Sequence, residues 1–240
     1  MTLAIVIPAY EARRHIRGVL ERIASSRVPE LSRVIIVDDG SRDSISEELA
    51  TLPSFPYSVE CVVRQRNGGY GAAMKDGLRR ARECGATIVA CVHADGQYAP
   101  ESLPSLLAEL SRRELDVLQG SRIASGTALR GGMPYYKYAA NAALNLLENR
   151  TLGLALTDYH SGYLIYGPRA LQCLPFADFS DSFDFDLEVI AAACAHGFRV
   201  AEAPVPTHYG DEVSHLNPIT YGLRVLRVLL KYRRGRYAPV

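Results

Sequence analysis

Short apolar segments alternate with helical segments along about the first 110 residues of this chain, and this alternation constrains the fold more than any other feature. The apolar segments are rich in β-branched residues and are typical of buried strands; they are residues 3–7, 33–37, 58–63 and 87–92. The segments between and after them that we predict to be helical are residues 12–26, 44–52, 70–84 and 100–113. Continuous apolar strands between helices predict an α/β fold with a mainly parallel sheet covered on both faces.

Polar motifs follow two of these strands. Asp38-Asp39-Gly40-Ser41 follows the second strand, and His93-Ala94-Asp95 follows the fourth. Because ligands of open α/β sheets bind at the carboxyl ends of the strands, we expect both motifs to line one crevice.

The second half of the chain is less regular. It contains three predicted helices, at residues 135–149, 185–196 and 219–234, and three predicted strands, at residues 116–119, 162–166 and 199–205. Residues 123–134 are rich in glycine and small side chains, which predicts a mobile loop. No repeat or linker interrupts the sequence, so we expect one domain.

The composition is that of an ordinary globular protein. Of the 240 residues 48% are hydrophobic and 22% charged, and the net charge of +1 gives no field that would attract nucleic acid. The five cysteines include no C-x-x-C pair, as expected for thiols in a reducing compartment. No signal peptide and no apolar run of about 18 residues are visible, so we expect a cytoplasmic protein.

The C-terminal segment is basic and amphipathic. No acidic residue follows Glu212, whereas six basic residues do: Arg224, Arg227, Lys231, Arg233, Arg234 and Arg236. Apolar residues recur at helical spacing at Ile219, Leu223, Leu226, Leu229 and Leu230. Such a helix either packs on the domain with a solvated basic face or lies on an anionic membrane surface.

Two acidic motifs are candidates for ligand binding. The adjacent Asp38 and Asp39 repel one another, and a cation or hydrogen-bond donors such as those of a ribose or uracil would relieve this; the pair can equally be a polar turn. Asp95-Gly96-Gln97 offers oxygen ligands for Mg²⁺ or Mn²⁺ in an open site that a diphosphate would complete, or it is only a turn before the helix at Pro100.

A third motif is the glycine-rich turn Asn67-Gly68-Gly69-Tyr70-Gly71. A turn of this kind at the start of a helix can present backbone N–H groups to an anion, although glycine also occurs there for shape alone. The turn lacks the Gly-Lys-Ser/Thr of a P-loop and does not follow a strand as G-x-G-x-x-G.

Taken together and in this order, the motifs resemble the family 2 glycosyltransferases. The segments that carry the resemblance are Ile-Pro-Ala-Tyr-Glu (7–11), Val-Asp-Asp-Gly-Ser (37–41), Asn-Gly-Gly-Tyr-Gly (67–71) and Ala-Asp-Gly-Gln (94–97). The resemblance implies the GT-A fold, a Rossmann-like three-layer sandwich, over residues 1–216, with residues 217–240 as the C-terminal helix. Residues 120–122, 158–163 and 206–215 are most similar to the dolichyl- and polyprenyl-phosphate mannosyl- or glucosyltransferases.

The resemblance also implies roles for individual residues. The donor-binding residues would be Pro8, Tyr10, Glu11, Asp38, Asp39, Gly68, Gly71, Lys75, Ala94 and Asp95, with Asp39 recognising the nucleoside. The metal ligands would be Asp95, Gln97 and His93, and the acceptor or phosphate contacts would be Arg122, Ser161, Gly162 and His208. The catalytic set would be Asp95, Arg122 and Asp186.

The sequence departs from the family pattern at two positions. His93 stands where relatives carry the first Asp of Asp-x-Asp, and imidazole suits Mn²⁺ better than Mg²⁺. Leu164 stands where relatives often carry Arg, so a phosphate contact is missing unless His208, Arg130 or Lys137 supplies the charge.

The resemblance predicts an inverting enzyme that moves a hexose from a donor of the GDP-mannose or UDP-glucose type to a polyprenyl or dolichyl phosphate. Its partners would be the nucleotide-sugar donor and a lipid-phosphate acceptor at the inner membrane face; association with a second copy of the chain or with a membrane-anchored protein stays open. An anionic phosphate acceptor needs no general base, only positive charge from Arg122 and the metal.

Two other functions stay open. Transfer to a sugar hydroxyl would need a carboxylate base, for which Asp158, Asp184 and Asp186 are candidates. A nucleotide-sugar-binding or nucleotidyl-transferring protein is the third possibility. Against it, residues 9–12 (Ala-Tyr-Glu-Ala) lack the glycine-rich basic signature expected near the N-terminus of a nucleotidyltransferase.

Overall fold

A mainly parallel sheet forms the centre of the molecule. The computed structural model describes residues 1–124, 126, 135–206 and 218–239, apart from the side chains of residues 136, 137, 218 and 219. The strands are β1 (Leu3–Ala9), β2 (Leu31–Asp38), β3 (Ser58–Val63), β4 (Ile88–Cys91), β5 (Val117–Ser121), β6 (Leu164–Tyr166) and β7 (Val200–Pro204). Their order in the sheet is β3-β2-β1-β4-β6-β5-β7. Among these strands β6 runs antiparallel to both of its neighbours, and the other pairs are parallel.

Helices cover both faces of the sheet. They are α1 (Arg13–Ser25), α2 (Ile45–Ala50), α3 (Tyr70–Glu83), α4 (Leu103–Arg112), α5 (Tyr135–Leu152), α6 (Pro168–Cys173), α7 (Phe185–Ala195) and α8 (Pro218–Arg233). Alternate residues of β1 enter two separate cores: Ile5 packs with α1 and α4, and Val6 packs with α3 and α7. The predicted three-layer α/β architecture is confirmed.

Two details differ from the sequence-based expectation. Residues 100–112 form a 3₁₀ turn (Pro100–Ser102) followed by α4, because Pro104 has no N–H to continue one hydrogen-bond ladder. The sequence also gave no sign of α6 or of the 3₁₀ turn at Phe176–Asp178. A helical period is hard to detect in elements of six and three residues, although α2, also of six residues, was predicted within residues 44–52.

The C-terminal helix α8 packs on the domain. Val225, Val228 and Leu229 are buried in the same core as α3 and α7. Its contacts with α7 are polar as well: Arg224 lies 3.1 Å from Asp184, and the Lys231 ammonium donates to Glu188 at 2.6 Å. The predicted boundary at residue 216 falls outside the described residues. No helix in the described part of the chain is both long and apolar enough to cross a bilayer.

A buried polar cluster joins α5, α8 and the segment before β6. His160 Nδ1 lies 2.9 Å from the Tyr221 hydroxyl of α8, and His160 Nε2 lies 3.5 Å from Glu148 Oε2 of α5. Burial raises the pKa of Glu148 to about 8, and burial lowers the pKa of His160 to about 4. Both shifts favour the uncharged forms, a protonated carboxyl facing a neutral imidazole, over an ion pair.

The Glu148→Gln variant tests this protonation state. The folded chain keeps the Glu148 proton up to about pH 8, whereas a glutamate in an unfolded chain loses it near pH 4.3. The folded state thus binds more protons in this range, and the free energy of unfolding falls as pH rises. Glutamine cannot lose a proton, so E148Q should gain stability relative to wild type between pH 7 and 8, by up to about 1.4 kcal/mol per pH unit.

Urea denaturation of both proteins across this range is the measurement. Glu83→Gln, at an exposed carboxylate of α3, is the matched control and should show a constant difference from wild type. Parallel curves for wild type and E148Q would mean that Glu148 is ionised in the folded chain.

Candidate active site

The topology of the sheet brings several predicted site residues to one end of its strands. His93, Ala94 and Asp95 follow the carboxyl end of β4, and Arg122 follows that of β5. Because β6 is antiparallel to both strands, Ser161 and Gly162 reach the same edge from the start of β6. The Gly120 N–H donates to the Tyr163 carbonyl at 2.8 Å, and this bond continues the pairing of β5 with β6 at this end of the sheet.

Asp39 connects the end of β2 to the glycine-rich turn. Its Oδ1 accepts the Gly68 N–H at 2.9 Å, and its Oδ2 accepts the Gly69 N–H at 2.8 Å. The Arg64 guanidinium is an ion-pair partner at 3.0 Å, and Asp38 Oδ1 accepts the Ser41 N–H at 2.9 Å. Backbone amides and one arginine therefore offset the cost of burying two adjacent carboxylates.

The glycine-rich turn is shaped by a close approach to residues 180 and 181. Gly69 has φ +97°, and a Cβ on Gly71 would lie 2.2 Å from the Ser180 carbonyl oxygen. In this conformation the Gly68 and Gly69 amides serve Asp39, so the structure shows the turn anchoring β2 to α3. The anion-binding role of Gly68 and Gly71 stays a prediction.

A cleft of about 510 Å³ opens beside this turn. Its lining residues are Arg64, Arg66, Asn67, Gly68, Ala72, Lys75, Asp76 and Asp181. Two predicted donor residues, Gly68 and Lys75, thus share one cavity, and the Lys75 ammonium donates to Asp181 at 2.9 Å. Asp95 does not line this cleft.

The first predicted motif lies on β1 and just beyond it. Pro8 is part of β1, and the ring of Tyr10 is 50% exposed. Glu11 adopts φ +51°, its N–H donates to the Ser41 hydroxyl at 2.9 Å, and its carboxylate accepts the Arg42 N–H at 3.2 Å. The Tyr10–Glu11 turn and the turn after β2 are therefore linked by two hydrogen bonds.

The Asp95-Gly96-Gln97 loop is a tight turn closed by its own side chain. Asp95 Oδ1 accepts the Gln97 N–H at 2.9 Å, and Gly96 has φ +71°. The Asp95 side chain is half-buried and follows the end of β4, two residues before Gln97. Among the residues that the structure describes, no three His, Cys, Asp or Glu side chains form a metal-binding group. The assignment of Asp95 and Gln97 as ligands of a hard cation stays a prediction, and a ligand such as a diphosphate would have to complete the coordination shell.

His93 is packed among aromatic side chains. Its ring lies 5.5 Å from that of Tyr70 and 5.1 Å from that of Tyr98, next to the buried Ala94. The Nε2 atom is buried and faces Gly162, where a Cβ would lie 2.0 Å away. Burial lowers the pKa of the imidazole. This geometry favours the alternative that His93 is a strand-end packing residue.

Arg122 is held in a bidentate ion pair. Its Nε and Nη2 donate to the two oxygens of the fully buried Asp158 at 2.7 and 2.8 Å, and Nη2 also donates to the His160 carbonyl at 3.0 Å. The guanidinium carbon lies 6.0 Å from the centre of the Tyr98 ring. These contacts fix the plane of the guanidinium beside the end of β4.

Ser161 and Gly162 are held by their backbones. The Ser161 carbonyl accepts from the Gln119 side chain at 2.9 Å, and the Gly162 N–H donates to the Tyr98 hydroxyl at 3.3 Å. Tyr98, which the sequence analysis did not single out, thus contacts His93, Arg122 and Gly162. A lone tyrosine before a helix carries no signal of such a position.

Each of the three candidate bases accepts at least one hydrogen bond inside the protein, whereas the Asp186 Oδ1 atom has no partner among the described residues. Asp158 pairs with Arg122, and Asp184 accepts from the Ser180 hydroxyl and from Arg224. Asp186 is buried and accepts from the Tyr70 hydroxyl at 2.7 Å, and burial raises its pKa to about 7. A catalytic role of Asp186 stays a prediction. His208 and Arg130 lie outside the described residues, as does the side chain of Lys137.

Comparisons with known proteins agree with this architecture. The family model described as glycosyl transferase family 2 matches residues 4–174. Crystalline glucosyl-3-phosphoglycerate synthase of Mycobacterium tuberculosis, in complex with Mn²⁺, UDP and glucosyl-3-phosphoglycerate, has a TM-score of 0.71 at 17% identity and is similar over 96% of this chain and 79% of its own.

Relatives in sequence act on lipid phosphates according to their names. The UDP-N-acetylglucosamine–dolichyl-phosphate N-acetylglucosaminyltransferase of Methanococcus voltae is 25% identical over 97% of this chain and 96% of its own length. The undecaprenyl-phosphate mannosyltransferase of Micrococcus luteus is 30% identical over 85% of this chain and 83% of its own. From the match of the family model and the fold of the sheet, the chain belongs to glycosyl transferase family 2 and has the GT-A fold.

Proposed function

We propose that this glycosyltransferase moves a hexose from a nucleotide diphosphate sugar to a polyprenyl or dolichyl phosphate, with inversion at the anomeric carbon. The observation that carries the proposal is the state of the three candidate bases, Asp158, Asp184 and Asp186, which are buried and hydrogen-bonded. A sugar hydroxyl needs a base to remove its proton, whereas a phosphate acceptor is already anionic. The names of the relatives support the same acceptor.

Asp95 and Gln97 would bind a divalent cation, Mg²⁺ or Mn²⁺, together with the donor diphosphate. The cation would neutralise the charge that builds up on the leaving nucleotide diphosphate. The Mn²⁺ and UDP bound by glucosyl-3-phosphoglycerate synthase support this assignment. Donors of the GDP-mannose or UDP-glucose type are the candidates, with Asp39, Tyr10 and Glu11 at the nucleoside side of the site.

Arg122 would hold the acceptor phosphate. An oxygen of that phosphate attacks the anomeric carbon from the face opposite the diphosphate; the new carbon–oxygen bond forms as the bond to the diphosphate breaks. Two anions must come together in this step, so a guanidinium fixed in advance by Asp158 lowers the barrier without reorganising. Ser161 and Gly162 would form the wall beside the transferred sugar.

Asp186 would act through Tyr70 and not on the substrate. Its carboxyl accepts the Tyr70 hydroxyl, and the Tyr70 ring packs against His93 and Phe183. The packing of the Tyr70 ring on His93 holds the start of α3 against the end of β4, and the bond to Asp186 fixes that ring. Asp186 is thus a positioning residue in the proposal.

The outer face of α8 would bring the protein to its lipid acceptor. Leu223, Leu226 and Leu230 are 63%, 48% and 47% exposed, on the side of the helix away from the core. Arg227 and Arg234 are exposed along the same stripe, and α8 contains no acidic residue. A face of leucines with flanking arginines fits an anionic membrane surface. The proposed location is therefore the cytoplasmic face of a membrane, as a peripheral protein.

The Asp95→Ala variant tests the donor site. Loss of this ligand should abolish Mn²⁺ binding and lower the transfer rate at least about 100-fold, because a bound metal contributes several kcal/mol to the transition state. The assay is transfer of radiolabelled glucose or mannose from UDP-glucose or GDP-mannose to undecaprenyl phosphate, with Mn²⁺ affinity measured by calorimetry. The exposed Asp178→Ala is the matched control and should behave as wild type. Wild-type Mn²⁺ affinity in D95A would refute the assignment.

Replacement of Leu223, Leu226 and Leu230 by glutamine tests the membrane face. The triple variant should lose binding to vesicles with a high content of phosphatidylglycerol, since the exposed leucines supply the apolar contact. Co-sedimentation with vesicles is the measurement, and activity on a short, water-soluble acceptor phosphate should be retained. Val63→Gln, at an exposed position of the edge strand β3, is the control. If the wild-type chain stays in the supernatant, the membrane face is wrong.

A further inference from the structure

Arg22, in the last turn of α1, contacts the loop that carries Asp95. Its Nη1 donates to the Gly96 carbonyl at 2.8 Å. A Cβ on Gly96 would lie 3.4 Å from the same nitrogen and 3.6 Å from Val19, one turn earlier on α1. The loop therefore rests on one face of α1, although the two segments are more than 70 residues apart in sequence.

Glu101 holds Arg22 in place for this contact. Arg22 Nε donates to Glu101 Oε1 at 2.8 Å, and Nη2 donates to Oε2 at 2.9 Å. A bidentate pair fixes the plane of a guanidinium, and Nη1 then has a defined direction. Glu101 lies in the 3₁₀ turn that follows the Asp95 loop, so Arg22 ties the loop to that turn.

The Gly96 carbonyl and the Gln97 N–H belong to one peptide group, so the hydrogen bond from Arg22 is connected to the Asp95 carboxylate through that group. Arg22 binds the carbonyl of that group, and Asp95 Oδ1 accepts its N–H at 2.9 Å. The two bonds point in opposite directions from a planar unit, so the orientation of the guanidinium sets that of the N–H. A cationic donor on the carbonyl also polarises the peptide and strengthens its bond to the carboxylate.

We propose that Arg22 and Glu101 are positioning residues that orient the Asp95 carboxylate for the divalent cation through the Gly96–Gln97 peptide. The inference rests on the proposed donor site at Asp95. Groups behind the ligands of a metal affect its affinity because they orient the ligand atoms, and their loss typically costs about 10- to 100-fold in affinity. Neither residue would touch the substrate.

The competing explanation is an ordinary surface ion pair. The Arg22 and Glu101 side chains are 34% and 47% exposed, and pairs of this kind contribute little to stability. A purely structural pair would leave metal affinity unchanged. A positioning pair changes metal affinity while the melting temperature stays nearly constant.

The chain offers a matched control on the same helix. Arg17 of α1 donates to Glu48 at 2.9 Å and to the Thr51 hydroxyl at 2.9 Å, and it ties α1 to α2 with no contact to the Asp95 loop. Arg17→Ala thus removes similar chemistry from the same helix. The test series is wild type, R22A, R22K, E101Q, R17A and D95A.

The measurement is the Kd for Mn²⁺ from the free-ion electron paramagnetic resonance signal, with melting temperatures recorded in parallel. We expect about tenfold weaker binding in R22A. R17A should bind Mn²⁺ as tightly as wild type. R22A and R17A should both melt at temperatures close to that of wild type. R22K should lie between wild type and R22A, since lysine can donate to the Gly96 carbonyl but cannot hold both Glu101 oxygens. E101Q should weaken binding less than R22A, because Arg22 remains.

Three outcomes would overturn the inference or its basis. Wild-type affinity in R22A, with binding lost in D95A, leaves the donor site standing and refutes the role of Arg22. Equal weakening in R22A and R17A, with lower melting temperatures, also refutes it, because the effect is then general. Unchanged affinity in D95A shows that the proposed donor site itself is wrong.

Discussion

The candidate site exists because β6 runs against both of its neighbours. If β6 ran parallel to β4 and β5, its first residues would lie at the end of the sheet opposite to the carboxyl ends of those two strands. Reversal of this one strand brings Ser161 and Gly162 to the edge where His93, Asp95 and Arg122 stand. The contact is close, since the His93 ring lies against Gly162 where no Cβ would fit. The proposed donor side and the proposed acceptor side of the site are thus joined through a strand of three residues.

Buried charges hold the loops around this edge. Asp39 accepts two backbone N–H groups from the glycine-rich turn, and Asp158 fixes Arg122 in a bidentate pair. Each carboxylate is expensive to bury alone and is stable only with these partners in place. The loops are therefore restricted to conformations that satisfy the carboxylates. An active site needs this property, because its groups must be oriented before the substrate arrives.

The periodicity of the sequence predicts most of the fold but few of the side-chain partners. Strand and helix patterns are local, so β1 to β4 and α8 were predicted within a few residues. The six-residue helix α6 was not predicted, although α2, of the same length, was. The hydrogen-bond partners of Asp39 lie in a turn about 30 residues away. The sequence around Asp39 is the same whether its carboxylate accepts hydrogen bonds from backbone amides or from a ribose. Glu148 is the single acid in α5, and the His160 that faces it is brought there by tertiary packing alone.

The two positions considered for α8, on the domain or on a membrane, are compatible because the helix has two faces. Its inner face is used by the protein: Arg224 and Lys231 pair with Asp184 and Glu188, and Tyr221 meets His160. Its outer face carries the exposed leucines. The His160 carbonyl accepts a hydrogen bond from Arg122, and the His160 ring contacts Tyr221 of α8. The helix proposed to meet the lipid therefore also supports the residue proposed to bind the lipid phosphate. The proposed transfer from a nucleotide sugar to a membrane-bound phosphate would use that connection, since the two substrates would reach the site from different phases.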